Sequence, residues 1–316
     1  MSSVIAATRF SVLDRSRVRD GHTAPEALRD TVELAREAER LGYHRFWVAE
    51  HHGVPGVAGS APTVLAAAVA GATRTIRVGT GGVMLPNHRP LVVAEQFGVL
   101  ASLFPDRIDM GLGRSVGFTD GVRKALGRDK GDAEDFAGQL DELLGWFEGT
   151  SPTGVHARPS EGLAVPPFVL AMGEGADIAA RAGLPMVIGD LRDRDRMRRG
   201  VDRYRERFRP SAWAEEPYVV ISGTVAVADT PERARRLLVP EAWSMGVLPH
   251  PRHLSAAAAR RARRVPRHDR QGARLLRGGA DRTARRHRGG GRAGAGGGAE
   301  GHRRPGSPRH HQHLRP

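Results

Sequence analysis

The stretch IRVGTGGVMLPNHRPLVVAEQFGVLASLFPDRIDMGLGRSVGF, residues 76–118, decides the fold. Residues 76–85 and 107–114 are short, apolar and glycine-punctuated, and both read as strands. Between them, residues 90–104 open on Pro90 and run on as an apolar segment of helical length. A strand, a helix and another strand in succession imply two parallel strands joined by a crossover.

The alternation continues in both directions. Towards the N-terminus, 8–14 and 45–52 read as strands, and 24–42 and 61–73 as helices. Helix 24–42 carries Leu28, Val32, Ala35, Ala38 and Leu41 on one stripe, with Gly42 as its stop. Towards the C-terminus follow a helix at 132–149 and strands at 167–173, 185–189 and 217–228. Their helices are 175–183, 193–208 and 231–245, the last expected to break at Pro240. Seven β-α units in the first 245 residues make this an α/β protein with a parallel sheet. The length fits a TIM (β/α)8-type barrel that lacks a normal eighth strand.

The chain has 316 residues, a formal net charge of +14 and no cysteine. Disulfide and thiolate chemistry are therefore excluded. Residues 256–316 hold 17 arginines, no lysine and three acids, and so carry the whole net charge. Residues 1–255 balance 32 basic against 32 acidic side chains. The same tail has 12 glycines, no aromatic residue and few apolar residues larger than alanine, too little to offset chain entropy. We divide the chain into a barrel domain, 1–250, and an Arg/Gly-rich low-complexity tail, 251–316, expected to be disordered.

The tail closes on HRRPGSPRHHQHLRP, residues 302–316, with four histidines. In GC-rich DNA, His-His-Gln-His is most simply CAC CAC CAG CAC, and a shift by one base reads Thr-Thr-Ser-Thr. The tail thus reads as a shifted frame that begins between about residues 246 and 260 and replaces the eighth strand. The histidine spacing matches no structural metal site. A basic arm on nucleic acid would be non-specific, because no aromatic side chain is there to stack on bases. The first residues, MSSVIAATRF, lack the apolar core of a signal peptide, and no apolar run approaches the ~18 residues of a membrane helix. A cytoplasmic protein without a membrane partner is the expectation.

Candidate chemistry gathers where strands end. His51 and His52 close the second strand, and consecutive strand residues face opposite ways, so the two cannot easily share a metal. One of them should face the barrel mouth as a neutral imidazole, able to accept or donate a proton near pH 7. Gly79, Gly81 and Gly82 strip side chains from the third strand, for a flat ligand or for an ordinary bulge. His88 and Arg89 follow in the loop, on the rim or in solvent. Arg114 ends the fourth strand, where its guanidinium suits phosphate oxygens or a neighbouring acid. Gly173, Glu174 and Gly175 precede a helix whose free amides would accept an anion, or form a plain cap. Trp47, Trp146, Trp213 and Trp243 read as packing residues.

Together these segments resemble the bacterial luciferase-like flavin monooxygenases. The matching stretches are SVLDRSRV (11–18), LGYHRFWVAEHHG (41–53), the opening segment 76–118 and AARAGLPMVIG (179–189). The resemblance covers roughly residues 8–245 and is closest to the subgroup with oxygenases that tailor aromatic polyketides. It implies a TIM barrel that binds reduced FMN, or in some branches the deazaflavin F420, at the C-terminal face. By this likeness His51 is the active-site histidine that assists the flavin–oxygen chemistry. Gly81 and Gly82 form a non-prolyl cis peptide behind the isoalloxazine ring. Arg114 holds the flavin phosphate, with Gly173, Glu174 and Gly175 in the phosphate-binding loop. The sequence departs from the pattern there, since Gly175 and Ile178 stand where hydroxyl residues reach the phosphate.

The resemblance implies a flavin-dependent monooxygenase that uses O2 to oxygenate a small organic substrate. No Rossmann unit for a nicotinamide is evident, so a separate flavin reductase would supply reduced FMN. A homodimer is common in the family. The alternatives are an F420-dependent oxidoreductase of the same fold, an inactive truncated remnant, or a basic-tailed nucleic-acid-binding protein.

Overall fold

The computed structural model describes residues 3–150, 153–171, 173–189 and 193–247. The tail 251–316 and its shifted-frame reading lie outside the described residues. The chain divides into one compact unit, residues 1–228, and a second that begins at Asp229.

The first unit is a parallel sheet wrapped by helices. Its strands are β1 (Ser11–Asp14), β2 (Arg45–Val48), β3 (Arg77–Thr80), β4 (Val83–Met84), β5 (Ile108–Gly113), β6 (Pro167–Leu170), β7 (Met186–Ile188) and β8 (Val219–Ile221). The sheet runs β1-β2-β3-β5-β6-β7-β8, and β4, the continuation of β3 beyond Gly81–Gly82, also pairs with β5. Every ladder is parallel. The result is a TIM-barrel-like half-barrel. Among the described residues β1 and β8 are each paired on one side only.

The crossovers are α2 (Ala24–Arg40), α3 (Pro62–Ala72), α4 (Pro90–Leu103), α6 (Phe136–Glu148), α7 (Gly175–Arg181) and α8 (Arg194–Arg207). A short α1 (Ser3–Ala7) precedes β1, and α5 (Asp120–Ala125) follows β5. Thr23 and Glu26 form a reciprocal capping box that starts α2. Outward strand residues Phe46, Val48, Val78, Met110, Leu112, Val169 and Met186 pack under the helices and form the main core. Inward residues Trp47, Phe168 and Val187 make a second, smaller cluster inside the ring. Alternation along each strand separates these two cores.

Several elements differ from the sequence reading. In α2 the buried stripe is Ala27, Thr31, Ala35 and Ala38, while Leu41 lies exposed. Small side chains let the helix approach the sheet, and the Thr31 hydroxyl donates to Asp14 Oδ2 at 2.5 Å. The strand expected at 45–52 ends at Val48, and that expected at 217–228 is paired only over Val219–Ile221. Unpaired on its far side among the described residues, β8 has nothing to extend its ladder. In the second unit, α9 (Pro231–Val247) continues through Pro240. A proline removes its own N–H bond and crowds one carbonyl but leaves the bonds on either side intact. Trp47 and Trp146 are buried, and Trp213 packs edge-on against Phe147 at 6.1 Å.

Candidate active site

The interior of the ring has two ends. At the N-terminal end, Asp109 of β5 is fully buried with both carboxylate oxygens engaged, while Nε2 of the neighbouring His44 is buried without a partner. Arg45 Nε donates to Asp109 Oδ2 at 2.9 Å, and Arg77 donates to its Oδ1 from Nη2 at 2.6 Å and Nε at 2.9 Å. Trp47 Nε1 adds a bond of 3.0 Å to Oδ2. Arg45 also lies over the Phe168 ring at 5.3 Å. The bare backbone at Gly79 makes this fit possible, because a Cβ there would overlap the Asp109 carbonyl oxygen. Gly79 therefore serves the ring's own packing rather than a ligand.

The C-terminal end holds the candidate chemistry. The Gly81–Gly82 peptide is cis, the geometry the resemblance implied. Leu13 and Trp47 cover Gly81, and the backbone of Gly111 approaches Gly82. Just past β2, Glu50 turns inward with its side chain wholly buried. It accepts from His52 Nε2 at 2.6 Å, from His88 Nε2 at 2.9 Å and from the Met84 N–H at 2.9 Å. Burial alone would push this carboxyl up. The His88 hydrogen bond and charge, with His52 and the Met84 amide, outweigh it and hold the carboxyl below its ordinary 4.5. Glu50 thus ties the end of β2 to β4, directly after the cis peptide. The sequence reading missed it. Its signal was an acid at the end of an apolar strand, beside two histidines.

His51 and His52 part company, as the alternation argument required, although both lie beyond the last residue of β2. His52 goes to Glu50. His51 stacks on Phe118, which follows β5, with ring centroids 5.7 Å apart. Its Nδ1 is buried and has no hydrogen-bond partner. Burial first, and the positive Arg15 next, hold its pKa below the ordinary 6.5. The imidazole is accordingly neutral at pH 7. Both side-chain polar atoms of Asn87, beside His88, are also buried without a partner. Unsatisfied buried polar atoms cost about 1–3 kcal/mol each, so those at the strand ends call for a partner beyond the chain itself.

Arg114 and Glu174 meet: Nη1 donates to Oε2 at 3.1 Å. Glu174 is 83% exposed and Arg114 30%, so the pair is open to solvent on one side. Gly175 opens α7 close behind the Arg114 side chain, and Gly173 stands in open space at φ +62°. His51, the Gly81–Gly82 pair, Arg114 and the Gly173–Gly175 turn all lie at or beyond the C-terminal ends of their strands. The helix that follows Arg114 is short and buries nothing, and Thr119 caps it. Among the described residues no group of three or more His, Asp or Glu side chains is arranged to hold a metal ion. None of the described helices is long and apolar enough to cross a membrane.

A parallel β/α sheet with its free polar groups at the strands' C-terminal ends defines a TIM-barrel-type enzyme. The chain belongs to the luciferase-like monooxygenase family, whose model matches residues 8–302. That match runs past residue 245, where the sequence resemblance was drawn to a close. A luciferase-like monooxygenase of Escherichia coli is 41% identical over 225 residues, covering 70% of this chain and 67% of its own. The crystal structure of apo-MsnO8 has 36% identity and a TM-score of 0.69, covering 74% of this chain and 70% of that one. Two more distant structures share the fold. The oxygenating constituent of a Pseudomonas putida 3,6-diketocamphane monooxygenase, in complex with FMN, has 19% identity and a TM-score of 0.62, covering 77% of this chain and 74% of its own. An F420-dependent secondary alcohol dehydrogenase has 16% identity and a TM-score of 0.51, covering 64% and 67%. The protein is thus an oxidoreductase acting on small molecules.

Proposed function

We propose that this protein is a flavin-dependent monooxygenase that binds reduced FMN at the C-terminal end of the ring and oxygenates a small organic substrate with O2. The bound cofactor would supply the activation of oxygen. The observation that carries the reading is the His51 imidazole, neutral, half-buried and with an unpartnered Nδ1, at the same end as the cis Gly81–Gly82 peptide. The distant fold neighbours carry FMN or use F420, which supports a flavin or deazaflavin here.

The chain's own residues divide the work. The Gly81–Gly82 backbone would back the ring without a protruding side chain. Arg114, oriented by Glu174, would bind the phosphate, with Gly173 and Gly175 letting the backbone come close. His51 would accept or give one proton at Nδ1 or Nε2, a role open to a neutral imidazole. Stacking on Phe118 holds its plane, and Phe118 also shields it from water. A separate flavin reductase would deliver the reduced cofactor, and a homodimer is the assembly expected by resemblance.

Titration of the full chain with FMN tests the reading. Wild type should bind, and Arg114→Ala should weaken binding about ten-fold or more, as loss of one charge-assisted hydrogen-bonding partner does. An intact fold that binds neither FMN nor F420 would sink it, as would an Arg114→Ala variant that binds like wild type. Tight binding of F420 with none of FMN would select the deazaflavin reading instead.

A further inference from the structure

The sheet's free edge at β8 is unlike its free edge at β1. Residues 217–228 read PYVVISGTVAVA and carry no charged side chain. β7 pairs with Val219–Ile221 only, and the Ser222 N–H donates to the Ile188 carbonyl at 2.8 Å. From Gly223 to Ala228 the chain forms no backbone–backbone hydrogen bond among the described residues. Val219 packs on the core under the helices and Val220 on the smaller cluster inside the ring, so odd positions face outward here. Ile221, Val225 and Val227 continue that outward row and are 59%, 81% and 87% exposed. Among the even positions, Ser222, Ala226 and Ala228 are half-buried, as alternation requires.

The β1 edge is guarded. Arg9 precedes the strand, Asp14 ends it, and Arg15 and Arg17 follow. Charges of that kind keep an edge from pairing with another chain. The β8 run has none between Glu216 and Asp229. An uncharged, β-branched run with an unpaired edge is a template for a further strand. The chain's own tail is unsuited to that place, since residues 256–316 hold 17 arginines and no aromatic residue. The run is, by contrast, its own complement. Two identical edges related by a twofold axis pair antiparallel. With the axis at Thr224, Ile221 of one copy lies opposite Val227 of the other, and Gly223 opposite Val225. Apolar side chains then meet apolar side chains or glycine along the row, and no charge meets another. Residues 1–255 balance 32 basic against 32 acidic side chains, so the bodies carry no net charge that would hold two copies apart.

We propose that residues 219–227 are the interface of a homodimer, in which the β8 edges of two copies join antiparallel about Thr224. The proposal deepens the homodimer reading, on which it rests, and is independent of the cofactor. The partner is a second copy of this chain, and the joined edges extend one sheet across both.

Sedimentation velocity of the full chain over a concentration series tests this, at about 150 mM salt so that the net charge of +14 is screened. Wild type should show a monomer–dimer equilibrium. The Val225→Lys/Val227→Lys variant should raise the dimer dissociation constant about ten-fold or more, because each copy then brings two ammonium groups to the shared row. Both side chains are more than four-fifths exposed, so the variant keeps its fold, and an unchanged circular dichroism spectrum checks this. The chain has no cysteine, so Thr224→Cys introduces a single thiol. On the axis the two thiols come within disulfide reach, and mild oxidation should trap a covalent dimer. Val99→Cys, an exposed position on α4, should cross-link far more slowly. A wild type that stays monomeric throughout overturns the proposal. A dimer that the lysine variant leaves at wild-type affinity also overturns it, while keeping the homodimer and moving its interface elsewhere. Cross-linking of Thr224→Cys no faster than that of Val99→Cys rules out the twofold pairing about Thr224.

Discussion

The two ends of the ring are built on opposite principles. At the N-terminal end, one buried carboxylate, two arginines and an indole satisfy one another through four hydrogen bonds of 2.6–3.0 Å. At the C-terminal end, His51 Nδ1 and both polar atoms of Asn87 are buried with nothing to bond. Glu50 stands between the two cases, buried like Asp109 but bonded to the imidazoles of His52 and His88 rather than to guanidinium groups. Saturated polar groups hold a structure together, whereas unsaturated ones in a rigid frame are free to meet a ligand. The difference assigns stability to the Asp109 cluster and chemistry to the groups at the C-terminal end, with His44 Nε2 the one buried atom left unpaired beside that cluster.

The largest test of that division is Asp109→Asn. It leaves the partly buried Arg45 and Arg77 without their charge partner, which should cost about 2–4 kcal/mol in urea unfolding, discounted for their partial exposure. Cofactor affinity of the folded fraction should stay unchanged. A variant that unfolds at the wild-type urea concentration would show that the lower end is not what holds the ring.

Glu50→Gln comes next, at about 1–3 kcal/mol, because an amide cannot accept all three of its present hydrogen bonds as a carboxylate does. The folded carboxyl lies below its ordinary 4.5, so its contribution is present above that pH and is lost as pH falls through the folded value. The variant's stability should accordingly fall less than wild type's on acidification below 4.5. Parallel stability–pH curves for the two proteins would contradict this. Unlike Asp109→Asn, Glu50→Gln should also alter cofactor binding, since Glu50 positions β4 next to the cis peptide.

A smaller effect concerns Glu39, whose carboxylate accepts from the N–H groups of Arg74, Thr75 and Ile76 at 2.8, 2.6 and 3.0 Å. Burial would raise its pKa, but these bonds bring it to about 2. Glu39→Gln should lower stability by about 1 kcal/mol at neutral pH, discounted for partial exposure, and this difference should shrink as pH falls from 4.5 towards 2. A difference that stays constant to pH 2 would argue against it.

His51→Asn should have the smallest effect on stability, and mainly on its pH dependence. The folded imidazole titrates below 6.5, so the unfolded chain binds more protons as pH drops past 6.5, and wild type loses stability there. His44, also held low by burial, adds a loss of the same sign. The variant should remove the His51 share and flatten the curve below 6.5. An unchanged slope would mean that His51 is not held neutral by the fold.

Much of the fold was legible because parallel β/α units carry strong local signals. The helices at 62–72, 90–103 and 194–207 fall within one or two residues of their expected positions. Failures came where long-range contacts decide. The α2 stripe was placed on leucines, but Thr31 is buried because Asp14 and Ser16 await its hydroxyl at 2.5 and 2.8 Å. Strand 217–228 has the right composition along its length, yet a strand lasts only as long as its partner, and β7 is three residues long. Asp109 looked like one acid in an apolar run, and only the register Gly79↔Asp109 shows why it is tolerated.

The sequence by itself determined the α/β alternation, the family, and the strand ends on which His51, Gly81–Gly82, Arg114 and Gly173–Gly175 sit. These follow from periodicity and from motifs read within one short segment at a time. The tertiary structure alone decided which polar groups are paired. It joined Arg114 to Glu174 across 60 positions, closed Glu50 onto His88 across 38, and left His51 Nδ1 open. Hydrogen bonds and burial depend on what the folded chain brings within about 3 Å, and no local pattern encodes that distance.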